Sequence, residues 1–168
     1  MSSYIFPEVY VENVESTRYL CIMGNEESIV TENREKPISC ARRYGIIPYE
    51  QVINYIDLVS SKTTKSIALL HANLSNNTYS GFIVENNSDI CIQEVKGGYI
   101  YVFVREGEII ERNADIAYVV TNKLEIRNIK SLCTGLLALI IDIPWDKPRR
   151  TILVSVSEYR SINARKNP

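Results

Sequence analysis

The sequence predicts a mainly β protein with an α+β N-terminal part and a small β-barrel near the C-terminus. Three observations favour this fold class. The apolar residues, 45% of the chain, are rich in Val, Ile and Tyr, which prefer sheets to helices. Short apolar segments alternate with turn residues, and the part after Gly97 contains an internal repeat. We therefore divide the chain into a β-rich N-terminal region (residues 1–96), a barrel (97–157) and a polar tail (158–168) that we expect to be frayed.

The N-terminal region opens with a predicted hairpin. Val9–Val14 and Arg18–Met23 are apolar-rich segments joined by the short polar connection Glu15-Ser16-Thr17. The polar stretch Asn25–Lys36 that follows predicts a loop.

One helix is expected in this region, between Pro48 and Val59. Val52, Ile53, Ile56 and Val59 share one face at helical spacing, and Pro48 is suited to a first helical turn. Three strands separated by Asn-rich turns are then predicted at Ile67–His71, Tyr79–Glu85 and Ile90–Glu94.

The barrel is predicted to run from Gly97 to Val156, because the pair Gly97-Gly98 allows a sharp change of direction. Its strands are expected at Tyr99–Val104, Ile116–Val120, Leu124–Ile129, Leu136–Ile143 and Thr151–Val156. Its core is expected to include Val102, Val104, Ile116, Tyr118, Leu137, Leu139, Ile152 and Val154. A displacement of 36 residues aligns Ile116–Val120 with Ile152–Val156, which predicts two similar hairpin units related by a pseudo-twofold axis.

Composition predicts a cytoplasmic protein. The N-terminus lacks the basic and apolar regions of a signal peptide, and the longest apolar run, Leu136–Ile141, is too short to span a bilayer. In a reducing cytosol the four widely spaced cysteines are expected to be small core hydrophobes: Cys21, Cys40, Cys91 and Cys133.

Charge is distributed unevenly, although the net charge is only −1. Residues 1–95 carry 7 Lys or Arg and 12 Asp or Glu, whereas residues 96–168 carry 12 and 8. We interpret these parts as two solvated surfaces, because exposed ion pairs add little stability. Docking of the acidic part on the basic part, within one chain or between subunits, is the alternative. With the edge strands expected in the N-terminal region, the imbalance favours a homo-oligomer.

Around Lys123 the sequence resembles the biotinyl/lipoyl domain family. That family runs Gly-Asp-x-Val-x-x-Gly-Asp-x-Leu and reaches its modified lysine seven residues after the Leu. Here Gly107–Ile116 occupies the run, and Lys123 stands seven residues beyond Ile116. The octapeptide ending at Lys123 is also similar to the lipoyl-type Leu-Ala-x-Ile-Glu-Thr-Asp-Lys, with which it shares Ala, Thr and Lys. The resemblance implies a barrel-sandwich hybrid, or hammerhead, with Lys123 at an exposed hairpin tip.

The neighbours of Lys123 depart from both branches of that family. Biotin domains flank the lysine with Met, whereas this chain has Asn122 and Leu124. Lipoyl domains place Glu three residues before the lysine and Asp immediately before it, whereas this chain has Val120 and Asn122. Because a ligase reads these neighbours, we expect no covalent cofactor on Lys123. A carrier that is lipoylated or biotinylated on Lys123 is the alternative.

A second resemblance covers most of the chain. Phe6-Pro7-Glu8 and the segment Thr121–Gly135 are similar to an archaeal family of uncharacterised proteins in which a β-rich N-terminal region accompanies a biotin/lipoyl-like barrel. This resemblance implies the same fold and brings no function with it.

The sequence contains no complete catalytic, metal-binding or nucleotide-binding constellation. His71 is the single histidine, and the cysteines lack the close spacing of zinc ligands, so no metal site is expected. Neither a phosphate-binding glycine loop nor a Gly-x-Ser-x-Gly motif occurs. His71 is interpreted as a hydrogen-bonded histidine at a strand end. A small enzyme that uses His71 or unidentified carboxylates between the two regions is a second alternative.

Binding of nucleic acid is not expected. The eleven tyrosines and the pairs Arg42-Arg43 and Arg149-Arg150 could form an RNA-binding surface. However, the aromatic residues lie mainly in apolar strands, where we expect them in the core, and a pI near 5.9 opposes phosphate binding.

We therefore expect a cytoplasmic binding or scaffold module rather than an enzyme. A protein partner would contact the Lys123 hairpin or the loop of Trp145, an indole held between Pro144 and Pro148 that could anchor a contact or cover a barrel end. No cofactor, metal or membrane is expected, and the sequence names no catalytic residue.

Overall fold

The computed structural model describes residues 6–32 and 39–167, which form two compact units. The first unit comprises Met1–Tyr55, Thr63–Ser88 and Tyr159–Pro168, and the second comprises Ile56–Lys62 and Asp89–Glu158. Within the described residues, their regular secondary structure is strand apart from one short helix, which confirms the predicted mainly β class. The main segment of the second unit begins at Asp89, eight residues before the boundary predicted at Gly97-Gly98.

Sixteen strands and one short 3-10 helix are described. The strands are β1 (Glu8–Glu12), β2 (Arg18–Ile22), β3 (Ser28–Glu32), β4 (Arg42–Ile47), β5 (Ile56–Asp57), β6 (Lys62–Thr63), β7 (Ile67–Asn73), β8 (Thr78–Val84), β9 (Cys91–Gly97), β10 (Tyr99–Val102), β11 (Ile109–Ile110), β12 (Asp115–Val120), β13 (Ile126–Lys130), β14 (Gly135–Ile143), β15 (Arg149–Val156) and β16 (Arg160–Lys166). The helix spans Tyr49–Tyr55. Among the residues described, no helix has the length and apolar character needed to cross a membrane.

A closed seven-stranded barrel forms the first unit, with strand order β1-β4-β2-β3-β16-β8-β7. Strand β1 pairs with both β4 and β7, which closes the sheet on itself. Alternate residues fill the interior, and Tyr10, Leu20, Tyr44, Leu70 and Ile83 have no exposed surface. A closed barrel leaves no free edge, so this barrel lacks the edge strands that were expected in the N-terminal region.

The predicted N-terminal hairpin is wrong, because β4 lies between β1 and β2. Gly45 of β4 pairs with Val11 on one side and with Tyr19 on the other. A Cβ atom at Gly45 would lie 2.1 Å from the carbonyl oxygen of Val14, so β4 can enter only where a side chain is missing. The predicted loop at Asn25–Lys36 contains strand β3, and its last four residues, 33–36, lie outside the described residues.

The predicted helix between Pro48 and Val59 is shorter than expected. Its first part is the 3-10 helix, in which Val52 is fully buried. Ile56, however, belongs to strand β5, and Val59 is 96% exposed. Four apolar residues at helical spacing thus did not suffice for a full α-helix, since short helices depend on packing along their whole face.

Two larger sheets form the second unit, for which the sequence predicts a small closed or sandwiched barrel, and the closed barrel of the structure is in the first unit. One sheet has the order β10-β12-β13 and the other β11-β14-β15-β9. The predicted repeat is confirmed by strand register. Val119 pairs with Arg127 between β12 and β13. Ser155 lies 36 residues after Val119 and Cys91 lies 36 residues before Arg127, and these two residues pair between β15 and β9. A twofold repeat exchanges its two halves in this way.

Most of the predicted core of the second unit is confirmed. Five of the eight residues are buried: Ile116, Leu137, Leu139, Ile152 and Val154. Val102 and Val104 are partly buried against the cluster that includes Ile116 and Leu137. Tyr118 is the exception, because it stacks on Tyr101 on the outer face of its sheet.

All four cysteines form disulfides, which corrects the expectation of free core thiols. Cys21 is bonded to Cys40 in the first unit and Cys91 to Cys133 in the second. Each bond joins a strand residue, Cys21 or Cys91, to a cysteine in the segment before another strand, so spacing along the chain gave no sign of the pairing.

The predicted polar tail at residues 158–168 is also wrong, since it contains the barrel strand β16. This strand pairs antiparallel with β8 and, through Arg165 and Lys166, parallel with β3. The guanidinium of Arg165 lies 2.6 Å from the carboxylate of Glu27. The basic C-terminal segment and the acidic N-terminal region therefore meet in one unit, which holds nine basic and nine acidic residues.

Candidate functional site

The Lys123 hairpin connects β12 and β13 of the second unit. The backbone N–H of Thr121 donates a hydrogen bond to the carbonyl of Glu125, and the N–H of Leu124 donates to the carbonyl of Thr121, both at 2.9 Å. Leu124 adopts a φ of 61° at the tip. The side chain of Lys123 is exposed and makes no ion pair among the residues described. The predicted position and exposure of Lys123 are thus confirmed, whereas its role remains a prediction.

The Trp145 loop connects β14 and β15 of the same unit. Trp145 is 67% exposed, so it does not cover an end of the fold. The carboxylate of Asp146 lies 3.2 Å from Nε of Arg150, an ion pair without the alignment of a hydrogen bond. Arg150 also lies 3.7 Å from Glu94 of β9, which ties the loop to the sheet.

A cleft of about 540 Å³ brings the hairpin and the loop together. It is lined by Gly98, Asn122, Pro144, Asp146, Lys147, Pro148 and Arg149. Its volume falls within the range of about 300–1,000 Å³ that is usual for small-molecule sites. The sequence indicated Lys123 and Trp145 as separate candidates. The structure places their neighbours Asn122, Pro144 and Asp146 in the wall of one cleft, whereas Lys123 and Trp145 do not line it.

A smaller slot of about 180 Å³ shares one wall residue, Arg149, with this cleft. Its other lining residues are Ile100, Val102, Ile140, Asp142 and Thr151. The hydroxyl of Thr151 donates a hydrogen bond of 3.3 Å to the carboxylate of Asp142. The slot therefore has aliphatic walls from both sheets and a polar mouth.

The charges around the cleft are not balanced. Asp146 is paired with Arg150, whereas Lys147 and Arg149 make no ion pair within the described part of the chain. Lys123, next to Asn122 of the cleft wall, is also unpaired within that part. The cleft thus presents an excess of positive charge, and nothing in the sequence spacing indicated this.

An exposed aromatic face covers the outer side of the β10-β12-β13 sheet. The rings of Tyr101 and Tyr118 stack with centroids 5.2 Å apart, and Phe103 lies 5.6 Å from each of them. Tyr99 is 51% exposed. The expectation that the aromatic residues lie in the core is wrong here, because the aromatic residues of Tyr99–Val104 alternate with aliphatic ones at a period of two and face outward.

His71 lies on β7 of the first unit, opposite Ser80. It is half-buried, and this burial lowers the pKa of its imidazole. Within the described residues no carboxylate bonds to it, so they supply no oriented acid–base pair. The same residues contain no group of three or more His, Cys, Asp and Glu side chains that could hold a metal ion.

A closed seven-stranded barrel and a two-sheet unit with a lysine-tipped hairpin define a two-unit, mainly β protein. Residues 4–158 match the family described as "uncharacterized protein conserved in archaea" (DUF2118), and the chain belongs to that family. The predicted relationship to an archaeal family over most of the chain is thereby confirmed. No curated protein matches the chain.

Proposed function

We propose that the protein is a non-enzymatic binding module that presents the Lys123 hairpin and the Trp145 loop to a partner protein. The observation that carries the proposal is the meeting of these two segments at one cleft. Each segment also exposes a large apolar side chain, since Leu124 is 83% and Trp145 67% exposed. Exposed apolar residues grouped beside polar ones are typical of protein contact sites, and Trp is frequent among the residues that dominate binding.

The aromatic face supports the same proposal. It lies on the sheet that carries the hairpin, and Val120 pairs with both Tyr99 and Ile126, which places all three on that face. Ile126 is 70% exposed. Together with the unpaired Lys123, Lys147 and Arg149, this surface would suit a partner with an apolar centre and an acidic rim.

Two further features belong to this proposal. The repeated strand register of the second unit supports a biotinyl/lipoyl-like, barrel-sandwich arrangement. We also infer that the protein acts in the cytoplasm. Its two disulfides fit that location only in a host whose intracellular proteins keep disulfides, as those of hyperthermophilic archaea do.

The test compares partner binding by matched variants of the full chain. Wild-type protein, Trp145→Ala, Leu124→Ser and the control Leu74→Ser are immobilised and exposed to lysate of the native host. Leu74 is a suitable control because it is 75% exposed and belongs to the first unit. We expect quantitative mass spectrometry to find a protein that wild type and Leu74→Ser retain and that the other two variants lose. Equal retention by all four, or retention of nothing, would refute the proposal.

A cofactor carrier modified on Lys123 is the second candidate. It is favoured by the exposed amine on a hydrogen-bonded turn, which a ligase could reach. Intact mass of the protein from its native host, and of its Lys123→Arg variant, decides between the candidates. An added lipoyl or biotinyl mass that disappears in the variant would establish the carrier, and an unmodified mass would exclude it.

A further inference from the structure

We propose that the slot and the adjoining cleft of the second unit bind a small amphipathic monocarboxylate. Its apolar chain would occupy the slot, and its carboxylate would bind Arg149 at the junction of the two spaces. The proposal shares the cleft, Lys147 and Arg149 with the proposed contact surface, but it requires no protein partner, because the slot and its mouth are formed by this chain alone.

The slot favours an aliphatic chain. Ile100 and Val102 of β10 and Ile140 of β14 form its walls, and all three are partly buried against the core of the unit. Branched aliphatic walls offer no hydrogen bond to water, so water in the slot is readily displaced by a chain. A volume of about 180 Å³ equals roughly six water molecules at bulk density, which limits the apolar part of the ligand to a small group such as a short chain.

The mouth favours an anion. Arg149 lines both spaces and makes no ion pair among the described residues, and Lys147 is equally unpaired in the cleft. The nearby acidic residues already have partners, since Asp146 pairs with Arg150 and Asp142 accepts the hydrogen bond from Thr151. A planar guanidinium can hold both oxygens of a carboxylate by two parallel hydrogen bonds.

A single negative charge fits better than two. Asp142 lies in the slot wall beside Arg149, and its carboxylate would repel a dianion such as a phosphate monoester more strongly than a carboxylate. A neutral ligand of the same shape would leave Arg149 without a partner. The combination of aliphatic walls, one arginine and one wall carboxylate therefore selects a monoanion with a short apolar chain.

The experiment titrates the full chain with acetate, butyrate, hexanoate and octanoate, followed by calorimetry and by amide chemical shifts. The neutral hexanamide is the matched control for charge, and inorganic phosphate tests a dianion. We expect affinity to rise about fourfold per added methylene and then to level off when the slot is full. Hexanamide and phosphate should bind at least tenfold more weakly than hexanoate. Chain lengths that all bind alike, equal binding of the amide, or no binding at millimolar concentrations would overturn the proposal.

Two variants locate the site. Arg149→Gln should weaken hexanoate at least tenfold, and Val102→Thr, which keeps the side-chain shape, should weaken it severalfold by adding a polar group to the slot. Arg112→Gln is the control, because Arg112 is exposed and does not line either space. Folding of each variant is checked by its amide spectrum, and Arg149 is exposed, so its replacement leaves the core intact. If Arg149→Gln and Arg112→Gln bind hexanoate as wild type does, the assignment of the site is refuted.

Discussion

Removal of the Cys91–Cys133 disulfide should destabilise the second unit by several kcal/mol. The bond joins residues 42 positions apart, from β9 to the segment before β14. In the chain-entropy model, a cross-link over a loop of this length lowers the entropy of the unfolded chain by an amount worth about 4 kcal/mol at 25 °C. For the Cys21–Cys40 bond, with a separation of 19, the same model gives about 3 kcal/mol.

The assay is equilibrium unfolding in urea of the oxidised wild type and of the double variant Cys91→Ala with Cys133→Ala. Intrinsic fluorescence of Trp145 follows the second unit, because this is the single tryptophan of the chain. We expect the midpoint of the fluorescence transition to move to a lower urea concentration. The shift should equal the lost free energy of unfolding divided by m, the slope of that free energy against urea concentration. Treatment of the wild type with a reductant should produce a similar shift.

Two results would refute this reasoning. Four reactive thiols in the denatured, unreduced protein would mean that the bonds do not form. A shift worth less than about 1 kcal/mol, with both disulfides demonstrated by mass, would mean that constraint of the unfolded chain contributes little here. The double variant of Cys21 and Cys40 is the matched comparison, and its main effect should fall on the first unit.

Three further predictions concern the first unit and the assembly. Gly45→Ala should destabilise the barrel by about 1–3 kcal/mol or more in thermal unfolding, because its Cβ would meet the Val14 backbone. The control Gly24→Ala should leave the stability unchanged, because no atom lies within 4 Å of its new Cβ. The hydrogen bonds from Arg42 hold the pKa of Glu12 and that of Glu85 below the usual value of 4.5. The two ionised carboxylates should therefore contribute their full stabilisation above pH 4.5, and this stabilisation should be lost as the pH falls through the lowered pKa values. Urea unfolding of wild type and Arg42→Gln should therefore converge in acid, and equal pH dependence of the two would contradict this. The expected homo-oligomer is tested by light scattering at high protein concentration and low salt, where a monomer mass would reject it.

The charge imbalance between the two halves of the sequence is absent from the first folded unit, which holds nine basic and nine acidic residues. The acidic and basic halves were defined by a cut at residue 95, but β16 carries Arg160, Arg165 and Lys166 into the first unit. The ion pair of Arg165 with Glu27 shows where part of this charge is used. An oligomer would now have to form through other surfaces, such as the aromatic face of the second unit.

The candidate site could be predicted in part. The spacing from Gly107 and Ile116 identified the exposed turn at Lys123, because a turn is a local structure set by a few neighbouring residues. The cleft could not be predicted, since it joins the β12–β13 hairpin to a loop more than twenty residues away. Arg149 drew attention only as one of two adjacent arginines, and its place at the slot depends on the pairing of β15 with β14, which contributes Ile140 and Asp142.

The sequence by itself determined the mainly β class, the positions of most strands, the Lys123 turn and the twofold repeat of the second unit. These features follow from local periodicity and turn chemistry, which each short segment carries within itself. Tertiary structure alone decided that β4 separates β1 from β2, that β16 completes the barrel, that the cysteines are paired, and that Tyr101 and Tyr118 face outward. Each of these depends on which distant segments become neighbours, and strand pairing between distant segments is set by the packing of the whole sheet rather than by the residues of one strand.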